Sequence, residues 1–116
     1  MIHVYGIKNC DSVKKALKFF KEHQIAYELH DFKQEALPCE KINEWLTKTD
    51  IKTLFNARST TYRTHKLKEL NLDEKGQIEW LCKENLLIKR PVVEFNDELI
   101  VGFNEALYLQ KFKQED

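Results

Sequence analysis

The sequence predicts an α/β fold with a four-stranded mixed sheet, flanking helices and a helical insertion. Two observations predict it. A strand pattern, a helical pattern and a second strand pattern follow one another at the start of the chain, as in a βαβ unit. Two further strand patterns, separated by a two-residue turn, form a β-hairpin near the end. We expect one domain over residues 1–116, because a chain of 116 residues is the size of a single domain.

The βαβ unit occupies the start of the chain. Residues 2–5 are apolar and β-prone, which predicts a buried first strand. Apolar residues then recur at helical spacing up to about Gln24, and residues 25–32 alternate as a second strand. The two strands should be parallel, since a βαβ crossover joins them. We expect four lysines to form a solvated outer face of the first helix, namely Lys14, Lys15, Lys18 and Lys21.

The middle of the chain is predicted to be helical. A second helix starts near Pro38, which favours a first turn, and its inward face carries Ile42, Trp45 and Leu46. Residues 51–72 are predicted to be helical only in pieces. Asp73 then caps another helix, on which Cys82 lies on the apolar face.

The end of the chain predicts the hairpin and a last helix. Pro91 belongs at the start of a strand, and the peptide bond before it is one that tolerates the cis form. Asn96-Asp97 indicates the turn, and residues 98–101 return as an antiparallel partner. Gly102-Phe103-Asn104 leads into the last helix, and the apolar residues of this region are Phe103, Ala106, Leu107 and Phe112.

Composition limits the function classes. The net charge is zero, with 19 basic and 19 acidic residues, which argues against a dedicated nucleic-acid binder. There is no long apolar run and no signal-peptide pattern, so we expect a cytoplasmic protein without a membrane span. Three widely spaced cysteines match neither a disulfide framework nor a zinc pattern. We therefore expect reduced thiols, no metal site and no bound cofactor.

Cys10 is the candidate nucleophile. It follows a strand and a loop with Gly6, and Asp11 and Ser12 after it are N-cap types, so a helix begins close to the thiol. A helix N-terminus favours thiolate over thiol, and a nearby lysine such as Lys8 would add to this, so we expect a lowered thiol pKa. The alternative is a small, partly buried loop cysteine.

Cys39 competes for the same role, because it also lies near a helix N-terminus. Glu40 beside it opposes a thiolate and no glycine loop precedes it, so we expect an incidental surface thiol. Cys82 is expected in the core. Either one stays open as a distant resolving partner for Cys10. Taken alone, Arg58 and Arg63 are expected to be ordinary surface cations.

Four stretches together resemble one family, the arsenate reductase/Spx/YffB type, which has a thioredoxin-like fold. They are Tyr5-Gly6-Ile7-Lys8-Asn9-Cys10, Phe55-Asn56-Ala57-Arg58, Leu87-Ile88-Lys89-Arg90-Pro91 and Val101-Gly102-Phe103. The first stretch is most similar to the YffB-type branch. The resemblance covers essentially the whole chain.

The resemblance implies the roles of the site residues. Cys10 would be the nucleophile, and Arg58 and Arg90 would bind an oxyanion or the carboxylates of a thiol substrate, which agrees with the planar donor fork of arginine. Lys8 and Asn9 would stabilise the thiolate. Pro91 would line a groove that leaves a strand edge for a glutathione-like peptide.

Departures from the family pattern separate the possible functions. Val13 stands where the redox-regulator branch has the second cysteine of Cys-x-x-Cys, which disfavours an internal switch. Residues 101–105 lack the arginine found in arsenate reductases of this type, which disfavours arsenate turnover. Ser59 stands where the family commonly has a glycine after the middle arginine, which bears on the geometry of that loop.

The expected function is glutathione-dependent thiol/disulfide reduction by a monomer that uses a single nucleophilic cysteine. The alternatives are arsenate reduction with glutathione and glutaredoxin, an Spx-like module that binds RNA polymerase, and a domain without remaining catalysis. Direct contact with nucleic acid is not expected.

Overall fold

The computed structural model describes residues 1–112. Two short 3₁₀ turns cover Leu67–Leu70 and Asn85–Leu87. None of the helices over the described residues is both long enough and apolar enough to cross a membrane. The helices and strands are β1 (Ile2–Gly6), α1 (Asp11–Glu22), β2 (Tyr27–Asp31), α2 (Cys39–Trp45), α3 (Ile51–Leu54), α4 (Thr60–Thr64), α5 (Glu74–Lys83), β3 (Val92–Phe95), β4 (Glu98–Val101) and α6 (Glu105–Phe112).

The four strands form one mixed sheet in the order β2-β1-β3-β4. β1 and β2 are parallel, whereas β3 is antiparallel to both β1 and β4. The hairpin turns at Asn96 and Asp97, whose φ angles of 46° and 61° are those of a type I′ turn. The predicted βαβ unit, hairpin and thioredoxin-like arrangement are therefore confirmed.

The helices cover both faces of the sheet. Val4 of β1 and Val93 of β3 point to one face, where they pack with Phe20 of α1 and Tyr108 of α6. The adjacent residues in the same strands, Tyr5 and Val92, point to the opposite face and pack against α2, α3 and α5. This alternation follows from the pleat of the strands, which sends successive side chains to opposite sides.

Side-chain caps divide the middle of the chain into short helices. The carboxylate of Asp50 accepts a hydrogen bond from the Thr53 N–H at 2.8 Å, and the Asp73 carboxylate caps α5 in the same way. The hydroxyl of Ser59 accepts from the Tyr62 N–H at 3.1 Å and caps α4. The serine that replaces the family glycine is thus used as a helix cap.

The last helix begins after residues 102–104, as expected, but its buried side chains differ in part from the predicted ones. α6 begins at Glu105 and buries Tyr108 and Phe112, whereas Ala106 is exposed and Phe103 precedes the helix. Burial of Tyr108 was not predicted, because tyrosine carries a polar hydroxyl. That hydroxyl donates to the Gly102 carbonyl at 2.9 Å, so the whole ring can be buried.

Cys39 and Cys82 form a disulfide, so the expectation that all three thiols are reduced is wrong for these two. Packing of α2 against α5 brings their Cα atoms to 4.9 Å, within the range that a disulfide spans. Cys39 is therefore not an incidental surface thiol. The 43-residue separation along the chain hides this proximity from the sequence.

Candidate active site

Cys10 is the N-cap residue of α1. Its backbone is extended, with φ −143° and ψ 124°, and its carbonyl accepts the first helical hydrogen bond from the Lys14 N–H at 2.9 Å. The predicted helix start is confirmed, with Cys10 itself rather than Asp11 or Ser12 in the capping position. The half-buried thiol makes no capping hydrogen bond in the described chain, and it lies at the helix end whose N–H groups have no helical partner.

Gly6 holds the loop before Cys10 close to its neighbours. A Cβ atom at Gly6 would lie 2.7 Å from Cγ2 of Val13 and 3.7 Å from Cβ of Arg90. Only glycine leaves room for the first turn of α1 at this distance. The end of β1, the first turn of α1 and the Cβ atom of Arg90 therefore lie close together.

Arg90 is half-buried, with part of its guanidinium already hydrogen-bonded. Its Nη1 donates to the Leu86 carbonyl at 2.7 Å. Its Nε is shielded from solvent and has no acceptor among the described residues. A buried donor without a partner costs about 1–3 kcal/mol in folding free energy.

Pro91 is buried, and the Arg90–Pro91 peptide is cis, as the sequence allows. The Pro91 carbonyl accepts a hydrogen bond from the Gly102 N–H at 2.7 Å. β3 lies between β1 and β4, so both of its edges are paired. β3 itself therefore has no free edge, whereas Arg90 and Pro91 precede β3, so the backbone expected to pair with a peptide lies before the strand begins.

The segment that carries Arg58 is joined to the segment that carries Arg90. Phe55 and Ile88 form an isolated antiparallel bridge. Two hydrogen bonds of 2.8 Å support it, one on each side of the bridge. Because the bridge is antiparallel, Arg58 and Arg90 leave it in opposite directions.

A cavity of about 700 Å³ lies beside the bridge and is strongly basic. Its cations are the exposed side chains of Arg58, Lys52 and Lys89, whereas Arg90 does not line it. Lys52 and Lys89 were not predicted as site residues. Lys89 lies inside a stretch of the family resemblance, which is the one signal that pointed to it.

Arg58 also lines a second cavity, of about 520 Å³. Arg63 belongs to this cavity, and its Nη1 donates to the carbonyl of Arg58 at 2.9 Å. Arg63, expected from the sequence to be an ordinary surface cation, therefore contacts the backbone of Arg58. The lining residues are Ala57, Arg58, Tyr62, Arg63, Lys66, Lys68 and Glu69.

Lys8 and Asn9 are exposed in the loop next to Cys10. Their side chains take no part in the hydrogen bonds and ion pairs found within residues 1–112. Cys10 is the one free cysteine of the described chain, because the other two form the disulfide. Gly6, in the loop before Cys10, lies against the Cβ atom of Arg90, while Arg58, Lys52 and Lys89 form a basic surface beside the Phe55–Ile88 bridge.

Comparison with known proteins gives the family. A sequence model of the ArsC family matches residues 5–111. An uncharacterised protein of Haemophilus influenzae is 40% identical over 97% of this chain and 99% of its own length. The global transcriptional regulator Spx of Listeria innocua is 29% identical over 90% of this chain and 82% of its own.

A solved structure agrees with this. The structure of a protein named YffB superposes with a TM-score of 0.87 and is 34% identical, covering 95% of this chain and 97% of that chain. The likeness in sequence and in fold extends over the strands, the helices and the loop that carries Cys10. The chain belongs to the ArsC family.

Proposed function

We propose that this protein is a thiol–disulfide reductase that uses Cys10 as its nucleophile and glutathione as the resolving thiol. The observation that carries the proposal is the position of Cys10. It is a free cysteine at the N-cap of α1, while Cys39 and Cys82 are paired with each other. The positive end of the helix dipole stabilises the negative sulfur that attacks a disulfide.

The reaction follows thiol–disulfide exchange. The Cys10 thiolate attacks one sulfur of an oxidised substrate, the substrate S–S bond breaks, and the other half leaves as a thiolate. A glutathione thiolate then attacks the mixed disulfide and restores Cys10. A second glutathione reduces the remaining mixed disulfide, so two glutathione molecules supply the two electrons and end as glutathione disulfide.

The cations beside the bridge support glutathione as the resolving thiol. Glutathione carries two carboxylates, and Arg58 with Lys52 and Lys89 offers three exposed positive charges in one cavity. Arginine pairs with a carboxylate through two parallel hydrogen bonds.

An assay with a glutathionylated peptide tests the proposal, with consumption of NADPH by glutathione reductase as the readout. We expect turnover in the wild type and none above background in Cys10→Ser. The matched control is the double variant Cys39→Ser/Cys82→Ser, which removes the other sulfurs and should keep the activity. Full activity in Cys10→Ser would refute the proposal.

Arsenate reduction is a second candidate, favoured by the ArsC family match and by the basic cavity around Arg58. The absence of an arginine in residues 101–105 disfavours it. Arsenate added to the same assay with glutathione and glutaredoxin distinguishes the two reactions. Arsenate-dependent NADPH consumption that is lost in Cys10→Ser would favour the second candidate.

A regulatory role is a third candidate, favoured by the 29% identity to Spx of Listeria innocua. The resemblance to the Spx-like branch implies contact with RNA polymerase, as an alternative to catalysis. Val13 removes the Cys-x-x-Cys pair, so such a contact would lack that switch. Binding of the purified chain to purified RNA polymerase in a calorimetric titration would support this role, and no heat of binding would count against it.

A further inference from the structure

Three potential metal ligands lie together on the sheet, away from Cys10. His3 belongs to β1, whereas Glu28 and His30 belong to β2. The parallel register places His3 opposite Glu28, and Tyr5 opposite His30. Because alternate residues of a strand point to the same face, the three side chains share the face on which Tyr5 packs against α2.

The ligand atoms lie close enough together that a small shift would bring them to the spacing of a coordination sphere, and His3 and His30 are within hydrogen-bond distance of each other. Nδ1 of His3 lies 2.9 Å from Nε2 of His30, and that Nε2 lies 3.7 Å from Oε1 of Glu28. All three ligand atoms lie within 4.8 Å of one another. Around a tetrahedral Zn²⁺ with bonds of about 2.0–2.2 Å, neighbouring ligand atoms are about 3.3–3.6 Å apart.

The surrounding side chains hold the ligands and leave one side open. The His30 ring stacks on Tyr5 with centroids 4.5 Å apart and planes 14° apart, which fixes its orientation. His3 and His30 are half-buried, while the Glu28 side chain is 58% exposed. Water therefore reaches the cluster from the side of Glu28.

Glu94 pairs in register with His3 on the other side of β1, but it is already engaged. Its carboxylate accepts hydrogen bonds from the Tyr5 hydroxyl at 3.1 Å and from the Trp45 indole at 2.6 Å. Lys41 lies 2.9 Å from the same carboxylate. The cluster thus offers three protein ligands, two imidazoles and one carboxylate.

We propose that His3, Glu28 and His30 bind a divalent transition-metal ion of the zinc type, with water in a fourth position. Two imidazole nitrogens and one carboxylate are a ligand set that Zn²⁺ uses in proteins with an open coordination position. Two imidazole ligands favour a cation that binds nitrogen well, such as Zn²⁺, over Mg²⁺ and Ca²⁺, which prefer oxygen ligands. The site lies on a different part of the fold from Cys10 and takes no part in the thiol reaction.

Isothermal titration with zinc chloride at neutral pH tests the site, in the disulfide-intact protein and in Cys10→Ser. We expect one Zn²⁺ per chain in both, since the thiol is not a ligand. Glu28→Gln removes one ligand from an exposed position and should weaken binding by at least about tenfold. His3→Ala should weaken it further.

His65→Ala is the matched control. His65 also lies beside a carboxylate, with its Nε2 3.5 Å from Glu84, but it is outside the cluster. Zinc affinity should be unchanged in this variant. The visible spectrum of bound Co²⁺ should indicate tetrahedral coordination in the wild type and change in Glu28→Gln.

Two results would overturn the proposal. One is the absence of saturable Zn²⁺ binding below roughly 100 µM. The other is binding whose affinity is unaffected by Glu28→Gln, a variant at an exposed side chain that leaves the core intact. Neither result bears on the thiol chemistry, because the readout is metal binding alone.

Discussion

Cys10 differs from the other cysteines in what surrounds its sulfur. Cys10 caps a twelve-residue helix and is free and half-buried, whereas Cys39 and Cys82 are bonded to each other in a disulfide. The glycine loop and the helical spacing after Cys10 predicted this position from the sequence. The pairing that excludes Cys39 could not be predicted, because it depends on how α2 packs against α5.

Replacing Arg58 tests the basic cavity at the level of one side chain. Arg58→Ala should raise the KM for glutathione roughly tenfold with a smaller change in kcat, since a hydrogen bond to a charged group contributes about 1.5–3 kcal/mol. Arg58→Lys should keep part of the affinity. Steady-state kinetics measure both, and Lys75→Ala on α5, outside both cavity linings, is the control. An unchanged KM in Arg58→Ala would place glutathione elsewhere.

Replacing Gly6 tests the close approach at the start of α1. Gly6→Ala puts a Cβ atom 2.7 Å from Cγ2 of Val13, and we expect a loss of about 1–3 kcal/mol in unfolding free energy. Urea denaturation measures it. Val13→Ala removes the opposing methyl, so the double variant should be more stable than the sum of the two single losses. Strict additivity would show that this contact is not the cause.

Helix α2 is held to the sheet by a charged cluster centred on Glu94 of β3. Lys41 and Trp45 of α2 and Tyr5 of β1 all contact its carboxylate. Burial opposes the charge, but hydrogen bonds from Lys41 and Trp45 outweigh it and hold the pKa of Glu94 below its usual value. Burial and the Glu94 charge raise the pKa of Tyr5, which stays a neutral donor. Sequence patterns predicted α2 and β3 but not this contact, because it joins residues far apart in the chain.

Glu94 should make stability depend on pH in the acidic range. Since its pKa is lower in the folded protein than in the unfolded chain, the stabilisation is present above the ordinary value of 4.5 and is lost as pH falls through the folded value. Glu94→Gln should lower the free energy of unfolding by about 1–3 kcal/mol at pH 7. The difference in this free energy between the variant and the wild type should shrink as the pH falls below the ordinary glutamate pKa of 4.5. Urea denaturation at several pH values measures it.

Glu98→Gln is the matched control for Glu94. Glu98 pairs with Lys111 at 2.9 Å, but its side chain is 50% exposed, against 15% for Glu94. An exposed pair contributes about 0–1 kcal/mol, so Glu98→Gln should change stability little. Equal effects of the two variants would contradict the role given to burial.

The Cys39–Cys82 disulfide joins α2 to α5 in the same layer. Closing a loop between residues 43 apart should stabilise the protein by about 2–4 kcal/mol. Reduction with dithiothreitol should lower the melting temperature of the wild type and leave Cys39→Ser/Cys82→Ser unchanged. If the reductant left the melting temperature of the wild type unchanged, the stabilising role of the disulfide would be contradicted.

For the whole molecule, the sequence was sufficient to predict the mixed sheet, the hairpin and the position of Cys10. Each depends on local patterns, such as strand alternation, the Asn96-Asp97 turn and the helix that follows the thiol. Contacts between segments far apart in the chain could not be predicted from such local patterns. The basic cavity forms because the Phe55–Ile88 bridge brings Lys89 to Arg58. The cluster of His3, Glu28 and His30 forms because the parallel register places His3 opposite Glu28, with His30 two residues further along the same face of β2.

If the Cys10 sulfur carries the substrate, glutathione disulfide should modify it first. Peptide mapping by mass spectrometry after brief exposure of the disulfide-intact protein to glutathione disulfide tests this. We expect one glutathione adduct per chain, located on Cys10 and removed by reduced glutathione. An adduct on Cys39 or Cys82 with Cys10 unmodified, or no adduct at all, would contradict it.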